Sequence, residues 1–254
     1  MFRDVYSDHS ETNIIWAADK NAAPIWGTYA IGQGQGQWLG NWTDERIREH
    51  VCLIARACAG AASPSDDYRR IIAPGEPTQL VRDMLKIDGC GLFARGVLRL
   101  LGVTSSRLAP PYRVGAAFSD IADVFSYAYD ETQAVIGQAA MKTATRGARR
   151  SHEALFSGAL VVIGRGKRTH ILVVDAIEKG HVWSIDGGQK DKEGRECITW
   201  RKRQYQTSPP MIGDREIIRW YDPAGLRHVL GFQWRTPFRD AAPTPPPADY
   251  PAEI

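Results

Sequence analysis

The sequence predicts an α+β domain in which helices from the first part of the chain pack on an antiparallel β-sheet formed by the second. Three observations carry this. Apolar residues recur at helical spacing in four stretches before residue 142, and short β-branched runs separated by glycine and charged turns fill 159–234. The two kinds of segment also stay apart, where βαβ units would alternate. With 254 residues, 43% apolar and 24% charged, a chain of this size buries roughly 70–75% of its unfolded surface and needs no disulfide to hold a core.

The elements follow in order. Residues 1–42 end in IGQGQGQWLGNW and read as loop, with a short strand at Thr28–Ile31. The GQGQG run is not a phosphate-binding GxGxxG, because Gln37 stands where the third glycine belongs. Thr43 caps a helix with Asp44 and Glu45 in its first turn and Ile47, Val51, Ile54 and Cys58 on one face, which makes Cys52 and Cys58 core residues. SPSDDYRRIIAPGEP, from Ser63 to Pro77, is rich in breakers and reads as a connector.

TQLVRDMLKIDG then gives a short helix and CGLFARGVLRLLG a second one, stopped by Gly102 in the left-handed conformation. A fourth helix is expected over 119–142, with Ser119 as its cap. ALVVIG, HILVVDAI and HVWSID read as strands, followed by ECITWRKR, REIIRWYD and HVLGFQW. The final DAAPTPPPADYPAEI is Pro-rich and poor in apolar residues, so 239–254 is expected to be a disordered tail.

Composition excludes several classes. Lys and Arg number 32 against 29 Asp and Glu, a net charge of +3 that argues against nucleic acid as a partner. The short clusters Arg146, Arg149, Arg150; Arg165, Lys167, Arg168; and Arg201, Lys202, Arg203 read as solvated surface. No apolar run approaches the roughly 20 residues that span a bilayer, so no membrane partner is expected. The four cysteines form no CxxC and lie apart from any His-rich tract, so neither a metal site nor a cofactor is expected. MFRDVYSDHSETNIIW lacks the apolar stretch of a secretory signal, which predicts a chain that is cytoplasmic as synthesised.

One thiol stands out. Cys90 falls at or just before the first turn of its helix, where unpaired amide hydrogens and the positive dipole end stabilise a thiolate. A thiol nucleophile needs a base, and His170 opens a strand of the most apolar part of the sheet. The other histidines are less well placed: His9 and His50 in loop or helix-surface contexts, His152 after a basic run, His181 after a turn glycine and His228 before a late strand. In IEKGHV, a three-residue loop of Glu178, Lys179 and Gly180 pairs Ile177 with His181 and Leu172 with Asp186, bringing Asp186 to the face of His170. A two- or four-residue loop places Gln189 opposite His170 instead. Asp175 and Ser184 fall on the other strand face and read as solvent-facing. Tyr112, in LAPPYRVG, reads either as packed on the core or as lining a cleft, and the tryptophans as mostly core.

The order of IDGCGLFARGVLRLLG, SGALVVIG, THILVVDAIEKG and HVWSIDGG resembles the NlpC-type branch of the papain-like cysteine hydrolases over about residues 88–188. Family members carry Asp-Cys-Ser-Gly at the nucleophile, where this chain has Asp88, Gly89, Cys90 and Gly91. The resemblance implies a papain-like fold over 76–238, with 1–75 an N-terminal elaboration. It implies Cys90 as nucleophile, His170 as base, Asp186 as orienter, and an oxyanion hole that includes the Cys90 amide. A helical insertion must separate Cys90 from His170. A peptide or peptidoglycan-like substrate follows by the same analogy, with Tyr112 and Gln189 as candidate substrate contacts and delivery to the wall by lysis or specialised secretion; an immunity or secretion partner is left open. The same dyad also fits an acyltransferase or a deamidating effector, and a packed, unreactive Cys90 fits an inactive binding or structural module.

Overall fold

Thr43 accepts a hydrogen bond from the Arg46 amide at 3.2 Å and opens α1 (Asp44–Cys58), which buries Ile47, Val51, Ile54 and Cys58 along one stripe. The structure is a computed structural model that describes residues 29–30, 43–103, 105–108, 111–135, 148–149, 154–165, 168–229, 233–234 and 247–250. Within the stretch read as a connector, Ser65 accepts from the Tyr68 amide at 3.2 Å and starts α2 (Asp66–Ile72). Tyr68, Ile71 and Ile72 are buried, so a cap and three large side chains outweigh the flanking breakers.

α3 (Thr78–Leu101) consists of two helical segments that meet at Asp88, whose φ of −127° and ψ of 17° interrupt the helix, and it stops at left-handed Gly102. α4 (Ala117–Val135) starts two residues before the expected cap. The Asp88 carboxylate accepts from the Ala117 amide at 3.4 Å, while Ser119 donates to the Ala116 carbonyl at 2.8 Å. The expected continuation to 142 lies outside the described residues.

The strands are β1 (Tyr29–Ala30), β2 (Ala148–Arg149), β3 (Leu160–Arg165), β4 (Arg168–Glu178), β5 (His181–Lys190), β6 (Glu196–Thr207), β7 (Pro210–Ile212), β8 (Arg215–Tyr221) and β9 (Gln233–Trp234). Each of β3 to β7 pairs antiparallel with the next, and β8 pairs with both β7 and β3. Six strands therefore close into an antiparallel barrel, and the expectation of a papain-like fold with helices on an open sheet is wrong. Register shifts at Val162/Ile163 in β3, Val174/Ala176 in β4 and Asp186/Gln189 in β5 bend the ribbon toward closure. β2 extends β8 outside the ring, and β1 pairs with β9 apart from it. In HVLGFQW, expected as a strand, His228 and Val229 end a 3₁₀ segment and Gln233–Trp234 is extended.

Closure divides the apolar residues into two cores. Val161, Ile163, Leu172, Val174, Val182, Ile212, Ile217 and Trp220 fill the barrel. Leu160, Val162, Ile171, Val173, Ile185 and Ile198 face outward under the helices. α1 and α2 share that outer core with α3 and α4. At the other end of the chain, Tyr250 packs edge-on to Trp183 and Trp200, donates to Asp175 and accepts from Arg56 at 2.9 Å. The four described residues of the tail are thus folded back onto β4, β5 and β6. No helix among the described residues is long and apolar enough to cross a membrane.

Candidate active site

Cys90 is the second residue after the break in α3, at the start of its second helical segment, and it is partly exposed. The break is local in origin: Asp88 turns its carboxylate to α4, and Gly89 and Gly91 let Gly188 and α4 approach the chain on either side of Cys90. A β-carbon on Gly89 would meet the Gly188 Cα at 2.8 Å, and one on Gly91 the Ala117 Cβ at 2.9 Å. Gly188 has φ of +65° and lies against the Cys90 amide, where a β-carbon would come within 2.7 Å. Glycine is required there on both counts.

His170 is the third residue of β4 and shares its inward face with Leu172 and Val174. Its Nε2 lies 2.6 Å from Asp186 Oδ2, and the Cys90 thiol is near enough to the ring to favour its charged form. With Nε2 committed to the carboxylate, Nδ1 is the nitrogen left for sulfur. Cys90, His170 and Asp186 are therefore gathered at one place.

The pairing that brings Asp186 here arises differently from the expected one. The β4–β5 turn has two residues, Lys179 (φ 48°) and Gly180 (φ 74°), with Glu178 opposite His181. The bulge at Asp175 then adds one residue to β4, so that Val173 faces Ile185, the same alignment that a three-residue loop would have produced. Gln189 lies beyond the second bulge and accepts from Arg201 at 3.2 Å, away from the His170 ring.

Asp186 is fully buried and saturated with donors. Arg203 gives its Nη2 to Oδ2 at 2.6 Å and its Nη1 to Oδ1 at 3.2 Å, and the Ser184 hydroxyl gives Oδ1 a bond of 2.7 Å. Burial opposes its charge, but the His170 hydrogen bond and the Arg203 guanidinium hold the carboxyl far below the usual range. For His170, burial again opposes the charged ring. The hydrogen bond to Asp186 and the nearby Cys90 sulfur outweigh it, and its pKa is pushed up to about 9. The ring thus holds a proton at neutral pH beside a thiol.

Compared with known proteins, the chain matches no family model, no curated sequence and no solved structure. The site must therefore be read from its own residues.

Several expectations need correction. Ser184 lies on the same face as Asp186 and is fully buried, while Asp175 is buried at the β4 bulge, bound to Arg56 at 2.7 Å. Neither faces solvent. Tyr112 is no cleft residue: its ring lies 3.6 Å from the Arg95 guanidinium carbon, its amide donates to Glu76 at 2.9 Å and its hydroxyl to the Leu108 carbonyl at 3.2 Å. His50 is buried, with Nδ1 2.9 Å from the Arg46 carbonyl, and burial drops its pKa to about 4. His9, His152, Arg146 and Arg150 lie outside the described residues, and Arg149 is in β2.

Arg203 is the residue the sequence reading missed, because it was grouped with Arg201 and Lys202 as surface charge. The available signal was alternation: Trp200 and Lys202 point outward to Tyr250 and Trp183, which turns Arg203 inward. Among the described residues, no group of three or more His, Cys, Asp or Glu is placed to hold a metal ion.

Proposed function

We propose that the protein is a cysteine hydrolase that cleaves an amide bond, with Cys90 as nucleophile, His170 as proton carrier and Asp186 as the group that orients His170. The observation that supports this is the His170 ring, 2.6 Å from the Asp186 carboxylate and near enough to the Cys90 thiol for the sulfur to favour its charged form. The Cys90 thiolate attacks the amide carbonyl carbon, forming an S–C bond and an oxyanion. The His170 imidazolium then gives its proton to the leaving nitrogen as the C–N bond breaks, leaving a thioester. Water yields a proton to His170 as it attacks that thioester, and the acid departs with Cys90 restored. Asp186 keeps one ring tautomer in place and offsets the imidazolium charge throughout.

The resemblance of residues 88–188 to NlpC-type hydrolases supports a peptide of peptidoglycan as substrate. A thiolate attacks amide carbonyls, whereas glycan cleavage needs a pair of carboxylates flanking the bond. On this reading the chain is made in the cytoplasm and reaches the wall by lysis or specialised secretion. The test is incubation with defined muropeptides followed by mass spectrometry, beside Cys90→Ala. The expected result is Cys90-dependent loss of cross-links or stem peptides with glycan intact. Killing by cytoplasmic expression with muropeptides unchanged would move the same dyad to a deamidating or acyl-transferring effector.

A further inference from the structure

We propose that Arg203, together with Ser184, is a positioning residue of this site, fixing the Asp186 carboxylate in the orientation from which it holds the His170 ring. The inference rests on the cysteine-hydrolase reading and extends it to two residues outside the Cys–His–Asp set.

The argument begins with the carboxylate's four contacts. Oδ2 accepts from His170 and from Arg203 Nη2, both at 2.6 Å, while Oδ1 accepts from Ser184 at 2.7 Å and from Arg203 Nη1 at 3.2 Å. Neither oxygen is left to rotate toward another donor. Arg203 Nη1 also donates to the Ser184 hydroxyl at 2.7 Å, which turns that hydroxyl's own hydrogen toward Asp186. A planar fork fills both oxygens at once, which an ammonium cannot do.

The fork comes from β6, the strand paired with β5. Arg203 stands opposite Val182 on β5 and reaches diagonally past Ser184 to Asp186, its side chain 20% exposed. Its reach is set by the barrel, not by a neighbouring residue in sequence. Charge balance points the same way. In the reactive state, Cys90 thiolate, His170 imidazolium, Asp186 carboxylate and Arg203 guanidinium sum to zero. Without Arg203 this largely buried set carries a net negative charge that opposes thiolate formation.

Two rates test this: iodoacetamide alkylation of Cys90, which needs no substrate, and turnover split into kcat and KM. Arg203→Met is expected to lower kcat and Cys90 alkylation about 10- to 100-fold with KM within about twofold, and Arg203→Lys to recover part of the loss. Arg203→Met combined with Asp186→Asn is expected to be no slower than Asp186→Asn alone, because both act through one carboxylate. Additive losses in the double variant, or wild-type rates in Arg203→Met, overturn the proposal. If Arg203→Met does not fold, Ser184→Ala and Arg203→Lys decide the matter: wild-type rates in both overturn it, and reduced rates with KM unchanged support it. A wild-type Cys90 no more reactive than Cys52, Cys58 and Cys197 removes the hydrolase reading itself. A selectively reactive Cys90 that is indifferent to Arg203 removes only this inference.

Discussion

His170 carries opposing demands: burial disfavours its charge, while the carboxylate and thiol on either side favour it. The balance leaves it protonated to about pH 9, so the ring can act as an acid toward the leaving nitrogen. Turnover is therefore expected to fall on the alkaline side through about pH 9, and a pH profile of kcat checks this. His170→Ala should abolish turnover. Asp186→Asn should cost about 10²- to 10⁴-fold, since an amide still touches the ring but no longer offsets its charge; steady-state kinetics of the two variants test the ranking. At this scale the sequence was informative where a residue type is chemically rare. Cys90 at a helix start and His170 at a strand start could be picked out by type and position. Arg203 could not, because arginine is common on surfaces and its role depends on a strand whose neighbours the sequence does not name.

Among the elements, the β4–β5 hairpin shows how a correct pairing can rest on a wrong turn. Glycine at 180 marked the turn but not its length, and the compensating residue, Asp175, hides inside an apolar strand with no glycine to flag a bulge. The second bulge is different, since Gly187 and Gly188 are visible in the sequence and their reason is steric. A β-carbon on Gly187 would meet the Phe93 Cβ at 2.2 Å, and Gly188 is left-handed against Cys90. Gly188→Ala should therefore cost about 2–4 kcal/mol from backbone strain and overpacking, and should impair turnover by displacing the Cys90 segment; denaturant melts and kcat check the two effects. The C-terminal segment was expected to be disordered from its composition, yet its described residues, 247–250, are held by Tyr250. Tyr250→Phe withdraws the hydroxyl that Asp175 and Arg56 share, and should cost about 1–2 kcal/mol in a urea melt with kcat unchanged.

In the whole molecule, closure of the sheet was the feature the sequence did not disclose. β3, β4 and β5 are apolar on both faces because one lines a barrel and the other lies under helices. Periodicity alone cannot tell that arrangement from helices on both sides of an open sheet, and the β7–β8 pairing that completes the ring involves only Met211, Ile212, Arg215 and Glu216. The β5–β6 pairing builds the site, because it sets Arg203 opposite Val182 on the inner face of β5. The same buried charges make stability depend on pH. The His170 contribution is fully present below its ordinary value of 6.5 and is lost as pH rises through about 9. The Asp186 contribution is present above its ordinary value of 3.8 and is lost as pH falls through its lowered one. Melting temperature should thus hold a plateau between these ordinary values and decline toward pH 9, with the alkaline decline absent in His170→Ala.

The central claim, that Cys90 is a thiol activated by His170, is tested most directly by limiting alkylation of the folded protein at pH 7 with site-resolved mass spectrometry. Cys90 should be modified at least about tenfold faster than buried Cys52, Cys58 and Cys197, and His170→Ala should abolish that preference without changing the melting temperature by more than a few degrees. Equal labelling of all four cysteines, or a Cys90 rate untouched by His170→Ala, would contradict it.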